Sequence, residues 1–293
     1  MSVLVCGSLH LDVLVQAPHL PAQDETVTGR AVTYAFGGKG GNQAVAAARM
    51  GAKVAMAGCI GGDDFGERLL SGLDGAGVDR TQVSVVPGPS GMSVAVVEDG
   101  GAYGAVIVSA ANLAQDGAVA VPRGTSWLLL QSEIPEGANI AAAARARAAG
   151  AQVMLNAAPA RALPPALLAL TDLLIVNRVE AAQALGRHDL PDPLAAARAL
   201  RGLGPARVIV TLGGDGLVLA EGDGARHLAA RKVAVVSTHG AGDAFIGALA
   251  ARLDAGDDLA AACAFAQAAA ALHVATAPEQ RHAITAATVA KAF

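Results

Sequence analysis

The chain has 293 residues, which is enough for one large α/β domain or for two domains with a substantial buried core. Its net charge is -4, so we expect no broad basic surface and no nucleic-acid partner. The apolar residues are mostly alanine and valine, broken every few positions by glycine, aspartate or arginine. Because no apolar run approaches the roughly 20 residues of a membrane helix, the sequence also predicts no membrane partner.

The amino-terminal sequence MSVLVCGSLHLDVLV predicts a first strand rather than a targeting segment. It has no basic start, and Asp12 lies where the apolar core of a signal peptide would continue. We therefore expect a cytoplasmic protein.

Short apolar strands alternate with helical segments along most of the chain. The strands are predicted over residues 3–6, 54–58, 127–130, 153–156, 173–176 and 208–211. The helical segments are predicted over residues 42–50, 65–77, 137–150, 165–170, 180–186, 193–204, 244–256 and 258–275. This alternation predicts a central parallel sheet covered by helices on both faces.

Two stretches, about 12–36 and 90–109, interrupt this alternation. Each carries β-type runs of period two with no intervening helix, and the second contains EDGG at 98–101, which is typical of a turn between antiparallel strands. We interpret the two stretches as one small discontinuous sheet, which forms a lid on a single domain spanning residues 1–293.

The segment STHGAGDAFIGAL, residues 237–249, places small residues and an acid directly before a predicted helix. Backbone amides at a helix start carry partial positive charge, and Gly240 and Gly242 let an anion approach them, so the segment predicts a phosphate or oxyanion site. Asp243 is either a base that removes a proton from an attacking hydroxyl or simply the N-cap of the helix.

Residues 36–43, FGGKGGNQ, form a second glycine-rich segment before a predicted helix. It is not a P-loop, because Gly40 follows Lys39 where that motif needs serine or threonine. Lys39, Asn42 and Gln43 are suited to bind sugar hydroxyls. The alternative is a glycine-rich turn with no ligand.

Two further motifs follow predicted strands, where open α/β sheets bind ligands. Asn177 and Glu180 in NRVE are spaced to lie on one helix face, which suits phosphate and a magnesium-bound water, although such a pair also caps helices. The segment TLGGDG, residues 211–216, again places glycines after a strand, and taken alone it predicts a tight hairpin turn.

Taken in order, these motifs resemble those of the ribokinase family of ATP-dependent sugar kinases, also known as the PfkB family. The shared motifs are GSLHLD, DETVTG, AFGGKGGNQAVAAARMGA, LLLQSEIP, LNAAPAR, NRVEA, TLGGDG and THGAGDAFIGAL. The resemblance implies a ribokinase-like, Rossmann-type α/β fold with a lid over the sugar, often a homodimer joined through the lids. It also implies transfer of the γ-phosphoryl group of ATP to a primary hydroxyl, with O5 of ribose the first expectation.

The resemblance assigns a role to each motif. It implies a catalytic base at Asp243 and an anion hole at Gly240, Ala241 and Gly242. The implied sugar-binding residues are His10, Asp12, Gly38, Lys39, Asn42, Glu133 and Asp243. The implied ATP-binding residues are Asn177, Thr211, Gly213, Gly216, Gly242 and Gln267, with Glu180 holding Mg²⁺ through water.

Two positions depart from the family's pattern. His10 stands where the family's ribose kinases carry an asparagine that binds ribose, so another pentose, a ketohexose or a nucleoside is the alternative acceptor. Ser237 stands where the family usually has the aspartate of a monovalent-cation site, and ATAPEQRHA (275–283) lacks the usual glycine-bearing cation loop. We therefore expect weak activation by K⁺. A non-catalytic sugar or nucleotide sensor is the second alternative, which the intact GAGD segment disfavours.

Overall fold

The computed structural model describes residues 2–100 and 102–293. In chain order the strands are β1 (Ser2–Cys6), β2 (His10–Ala17), β3 (Ala31–Gly37), β4 (Val54–Gly61), β5 (Asp79–Val86), β6 (Gly91–Glu98), β7 (Tyr103–Val108), β8 (Thr125–Gln131), β9 (Gln152–Asn156), β10 (Leu173–Asn177), β11 (Arg207–Thr211), β12 (Leu217–Glu221) and β13 (Gly224–Leu228). The helices are α1 (Lys39–Arg49), α2 (Asp64–Gly75), α3 (Glu136–Ala148), α4 (Pro165–Leu168), α5 (Arg178–Ala184), α6 (Pro193–Arg201), α7 (Ala241–Asp254), α8 (Leu259–Ala275) and α9 (Ala286–Ala292).

Within these residues, nine strands form one large sheet in the order β13-β12-β11-β10-β9-β8-β1-β4-β5. Neighbouring strands from β11 to β5 are parallel, which confirms the predicted parallel sheet. Strands β12 and β13 add an antiparallel edge, and the hairpin predicted at TLGGDG joins β11 to β12. Strands β5 and β13 extend the sheet beyond the predicted strands.

Helices cover both faces of the large sheet, because successive side chains of a strand point to opposite sides. Val3 and Val5 of β1 belong to a core shared with α1, α7 and α8. Leu4 and Cys6 belong to the opposite core, shared with α3, α5 and α6. Each Val or Leu side chain buried in this way stabilises the fold by roughly 1.5–3 kcal/mol.

Helices α1 and α7 approach each other closely at Gly247. A Cβ at Gly247 would lie 2.6 Å from Ala47 N and 2.8 Å from Gln43 O, so a larger residue would force the helices apart. Asp243 lies one turn before Gly247 on α7, and this close packing places its carboxylate beside the side chains of Asn42 and Gln43.

A small sheet contains β3, β2, β6 and β7 in that order, which agrees with the two stretches that interrupt the helical alternation. The hairpin pairs β2/β3 and β6/β7 are antiparallel as predicted, although Gly101 of the predicted EDGG turn lies outside the described residues. The central pair β2/β6 is parallel, so the sheet is mixed. The reason is that β2 and β6 follow β1 and β5, which run in the same direction in the large sheet.

In the described part of the chain, no helix has the length and apolar character needed to cross a membrane. The assignment of residues 1–293 to a single domain stays a prediction.

Candidate active site

Asp243 is the third residue of α7, and Gly240 is the N-cap. The interpretation of Asp243 as the N-cap is therefore wrong. Gly240 has φ 75°, in the left-handed region that glycine adopts without strain. The carboxylate of Asp243 instead reaches α1, where it accepts hydrogen bonds from Gln43 Nε2 at 3.0 Å and Asn42 Nδ2 at 3.4 Å.

The carboxyl group of Asp243 is buried, and this burial raises its pKa above the ordinary aspartate value. The positive charge of Lys39 and the hydrogen bonds from Gln43 and Asn42 act in the opposite direction, while the charge of Glu133 raises the pKa further. The site thus holds a carboxyl group with a higher proton affinity than an exposed aspartate, which suits a general base.

The sequence analysis predicted that Gln43 binds sugar hydroxyls, whereas in the structure its side chain binds other side chains of the protein, among them Asp243. Its Nε2 donates both to Asp243 and, at 3.0 Å, to Asn156 Oδ1, while its Oε1 accepts from Gln131 Nε2 at 2.8 Å. Asn156 and Gln131 end β9 and β8, so the carboxyl edge of the sheet orients Gln43, which in turn orients Asp243. The sequence does show a polar residue at the end of each of these apolar strands, LLLQ and VMLN, and this pattern could have indicated a polar cluster at the carboxyl edge of the sheet.

The glycine-rich start of α1 packs directly against the chain that links β1 to β2. Gly38 has φ 83°, and a Cβ there would lie 2.7 Å from His10 N. Glu133 Oε2 accepts hydrogen bonds from Lys39 N at 2.8 Å and from the Ser8 hydroxyl group. The structure therefore brings together the sequence-predicted residues His10, Gly38, Lys39, Asn42, Glu133 and Asp243.

His10 is buried beside Glu133, with 3.9 Å between Nδ1 and Glu133 Oε2. Burial lowers the pKa of His10, against the opposing charges of Glu133 and Asp12, which favours the neutral imidazole. Its Nε2 has no hydrogen-bond partner within the described residues.

Asp12 lies on β2 of the small sheet, facing Gly37. Its carboxylate accepts a hydrogen bond from the Ser93 hydroxyl group on β6. A Cβ at Gly37 would lie 2.6 Å from Asp12 Cγ, so glycine at this position leaves room for the carboxylate. Ser93 was not anticipated from the sequence, because its contact with Asp12 depends on the parallel pairing of β2 with β6.

A cavity of about 470 Å³ lies between the β11–β12 hairpin, residues 230–235 and the amino-terminal half of α7. It brings together six sequence-predicted residues from separate motifs: Thr211, Gly213, Gly216, Ala241, Gly242 and Gln267. Sequence reasoning missed the residues that line it from 230–235, which precede α7 without regular structure.

Asn177 and Glu180 form a capping box at the start of α5. Asn177 Oδ1 accepts from Glu180 N at 2.9 Å, and Glu180 Oε2 accepts from Asn177 N at 2.7 Å. Burial raises the pKa of Glu180, while the hydrogen bond from Asn177 and the charge of Lys39 lower it. Neither residue lines the 470 Å³ cavity. The capping alternative is confirmed, and the role in ATP and Mg²⁺ binding stays a prediction.

The comparisons with known proteins point to one family. Residues 2–282 match the pfkB family carbohydrate kinases. A ribokinase of Haemophilus influenzae is 34% identical over 282 residues, covering 93% of this chain and 92% of that protein. A deoxyribokinase of Salmonella typhi is 33% identical over 259 residues, covering 85% of each. The structure of Arabidopsis thaliana ribokinase complexed with ribose and ATP has a TM-score of 0.91 and 30% identity, covering 99% of this chain and 97% of that one. This chain therefore belongs to the pfkB family of carbohydrate kinases.

Proposed function

We propose that this chain is an ATP-dependent ribose kinase, which transfers the γ-phosphoryl group of ATP to O5 of D-ribose and forms D-ribose 5-phosphate and ADP. The observation that carries the proposal is the position of Asp243. It lies between the 470 Å³ cavity, lined by its neighbour Gly242, and the polar cluster around Glu133 and Lys39. Ribokinases from several organisms, each about a third identical over most of this chain, support ribose as the acceptor.

Asp243 is the proposed base. Its carboxylate takes the proton from the O5 hydroxyl group as the bond from O5 to the γ-phosphorus forms and the bond from that phosphorus to the β-phosphate oxygen breaks. The side chains of Gln43 and Asn42 hold the carboxylate in one orientation during this step. The accepted proton leaves Asp243 to solvent once the products have separated.

The start of α7 is the proposed anion hole. Ala241 N and Ala244 N donate to the carbonyl groups of Thr238 and Gly240. The amides of Gly242 and Asp243 have no backbone acceptor within residues 2–100 and 102–293. We expect these two amides to donate to the oxygens of the transferred phosphoryl group, where negative charge develops.

The two sides of Asp243 are the proposed binding sites for the two substrates. His10, Asp12, Gly38, Lys39, Asn42 and Glu133 are proposed to hold the sugar. The cavity residues Thr211, Gly213, Gly216, Gly242 and Gln267 are proposed to hold the nucleotide, with Asn177 near its phosphates. These assignments are supported by the hydrogen bond from Asn42 to the Asp243 carboxylate and by the place of its neighbour Gly242 in the cavity lining.

A magnesium ion suits the proposed site, because Mg²⁺ is usually held by one or two carboxylates plus substrate phosphates. Glu180 uses Oε2 in its capping box, and Oε1 accepts no hydrogen bond from the described residues. We propose that Oε1 binds a water of the ion. When bound, Mg²⁺ neutralises charge on the phosphates of ATP.

We further propose a homodimer joined through the small sheet. The edge strands β3 and β7 expose large apolar side chains, among them Val32, Tyr34, Val106 and Ile107, and such a patch favours a protein interface. Light scattering on the purified chain tests this proposal, and a monomer at micromolar concentration would contradict it.

The test of the proposed function is ADP release from Mg-ATP with a panel of acceptors: ribose, deoxyribose, fructose, adenosine, uridine and pseudouridine. Ribose should give the highest kcat/KM. If another acceptor is preferred, that acceptor replaces ribose in the proposal. His10 would then be the first residue to test as the cause of the changed specificity. Absence of ADP release with every acceptor would contradict the proposal and favour a sensor.

A further inference from the structure

Arg281 is a buried residue outside the proposed substrate sites, and it lies in the 3₁₀ turn Pro278–Ala283. Its guanidinium group donates from all three nitrogens to backbone carbonyl oxygens. Nη2 lies 2.8 Å from Ser237 O, Nη1 lies 2.9 Å from His239 O, and Nε lies 3.1 Å from Thr276 O. One side chain thus joins the segment before α7 to the segment after α8.

This guanidinium charge is balanced by carbonyl dipoles. Arg281 forms no ion pair with a carboxylate within residues 2–100 and 102–293. A set of converging backbone carbonyl oxygens is the environment in which proteins bind K⁺. Here three such oxygens accept hydrogen bonds from a fixed cation of the chain itself, since a guanidinium group stays charged at physiological pH.

A monovalent cation does not fit beside Ser237 in this structure. The carbonyl oxygens of Ser237 and His239 that would bind it already accept hydrogen bonds from Arg281, and Ser237 offers a neutral hydroxyl group instead of a carboxylate. A second positive charge within about 4 Å of the guanidinium would also be repelled. The cation site that the family resemblance implies is therefore filled by a side chain.

Two of the carbonyl groups held by Arg281, those of Ser237 and His239, directly precede the proposed anion hole. His239 O also accepts from His273 Nε2 at 2.9 Å, and Gly240 follows at φ 75° as the N-cap of α7. The free amides of Gly242 and Asp243 come next along the chain. Fixing the carbonyl groups of residues 237 and 239 therefore fixes the direction of those amides.

We propose that Arg281 is a positioning residue that holds the anion-hole segment 237–240, and that it makes turnover independent of K⁺. This inference rests on the proposed kinase function. Arg281 does not line the 470 Å³ cavity and is not one of the proposed sugar-binding residues, so its proposed effect is on the geometry of the amides that stabilise the transferred phosphoryl group.

The first experiment compares turnover of the unchanged protein in KCl and in NaCl at equal ionic strength. Equal rates are expected, and a many-fold increase in KCl would overturn the proposal. Arg281→Ala should lower kcat by roughly 10- to 100-fold, with much smaller changes in KM for ribose and ATP. Added guanidinium ion at low millimolar concentration, or K⁺, should restore part of that kcat, and Arg281→Lys should retain more activity than Arg281→Ala.

The matched control is Arg252→Ala, which removes an arginine at the other end of α7 that pairs with Asp257 at 2.7 Å. Its kcat should stay close to that of the unchanged protein. An Arg281→Ala variant with unchanged kcat, or one that neither guanidinium, K⁺ nor the lysine variant improves, would overturn the positioning role.

Hydrogen exchange separates a failure of this inference from a failure of the proposed function, because it needs no turnover. The amides of Ala241 and Ala244, which donate to Thr238 O and Gly240 O, should exchange faster in Arg281→Ala than in the unchanged protein, and slower again when guanidinium ion is added. Unchanged exchange of these two amides would overturn the inference even if ribose is the substrate. If Arg281→Ala does not fold, turnover in KCl and in NaCl is compared for the unchanged protein and for Arg281→Lys. Strong activation of either of these two proteins by K⁺ would contradict the inference.

Discussion

The two sides of Asp243 are built differently. On the proposed sugar side, the Asp243 carboxylate belongs to a buried chain of hydrogen bonds through Gln43 to Asn156 and Gln131. On the proposed nucleotide side, the 470 Å³ cavity is lined largely by glycine, alanine and valine, and the polar side chains of Thr211, Lys232 and Gln267 donate to backbone carbonyl groups. Polar side chains that are hydrogen-bonded to their neighbours are fixed in one orientation. Small residues instead leave space for a ligand and expose backbone groups that can bind it. We therefore expect the sugar side to control chemistry and acceptor choice, and the cavity to control nucleotide affinity.

The largest effect is expected at Asp243 itself. Asp243→Ala should lower kcat by roughly 100-fold or more, because proton removal by a positioned base is lost, while ribose affinity measured by calorimetry changes little. Asp254→Asn is the matched control, since Asp254 lies on the same helix and both residues are 8% exposed. Retained turnover in Asp243→Ala would show that another group removes the proton.

A pair of substitutions tests whether the two sides act separately. Asp12→Ala should raise the KM for ribose by about 10- to 100-fold with little change for ATP, since one charged hydrogen bond contributes about 1.5–3 kcal/mol. Gly216→Ala should do the reverse, because Gly216 has φ 99° and an added Cβ would lie 2.7 Å from Ala230 N. Steady-state kinetics with each substrate varied in turn measures both. Parallel changes in the two KM values would contradict the division.

The smallest effect concerns stability. The folded-state pKa of Asp243 is raised by burial, so its carboxylate destabilises the fold at pH values above that pKa. This cost disappears as pH falls through the raised pKa towards the ordinary aspartate range. Asp243→Asn should therefore melt roughly 2 °C or more above the unchanged protein at neutral pH, with the difference shrinking in acid. A neutral variant that is less stable at neutral pH would show that the hydrogen bonds to the carboxylate outweigh its desolvation.

Local pattern was sufficient for most of the fold and for the glycine-rich segments. Apolar strands such as LLIV are buried on both faces, so their run of hydrophobic residues predicts a parallel sheet correctly. Strand β5, DRTQVSVV, was missed because it is a half-exposed edge strand with polar residues on its open side. Gly38 and Gly240 both have a positive φ, which the sequence indicates because glycine adopts such a backbone conformation without strain.

Contacts between distant segments were beyond sequence reasoning. Gln43 meets Asp243 across 200 positions, and Arg281 meets Ser237 across 44, so neither pairing has a local signal. The segment ATAPEQRHA was notable for the glycines that it lacks, and only the fold shows that its arginine donates to the carbonyl groups of Ser237 and His239. The same holds for Ser93, which reaches Asp12 through the pairing of β2 with β6.

The attachment of the small sheet has a mechanical consequence. Chain crossings between the small sheet and the rest of the protein occur at residues 7–9, 38, 87–90 and 109, all at the ends of strands that adjoin the large sheet. Because all four connections lie along one edge, we expect the small sheet to rotate about that edge more easily than it translates or twists. His10 begins β2 at this axis, and Asp12 lies about 7 Å further along the strand. If the small sheet rotated about this edge, its opposite edge would move furthest, while His10 and Asp12 would move little. Such a rotation would change access to the proposed sugar site without displacing these two residues.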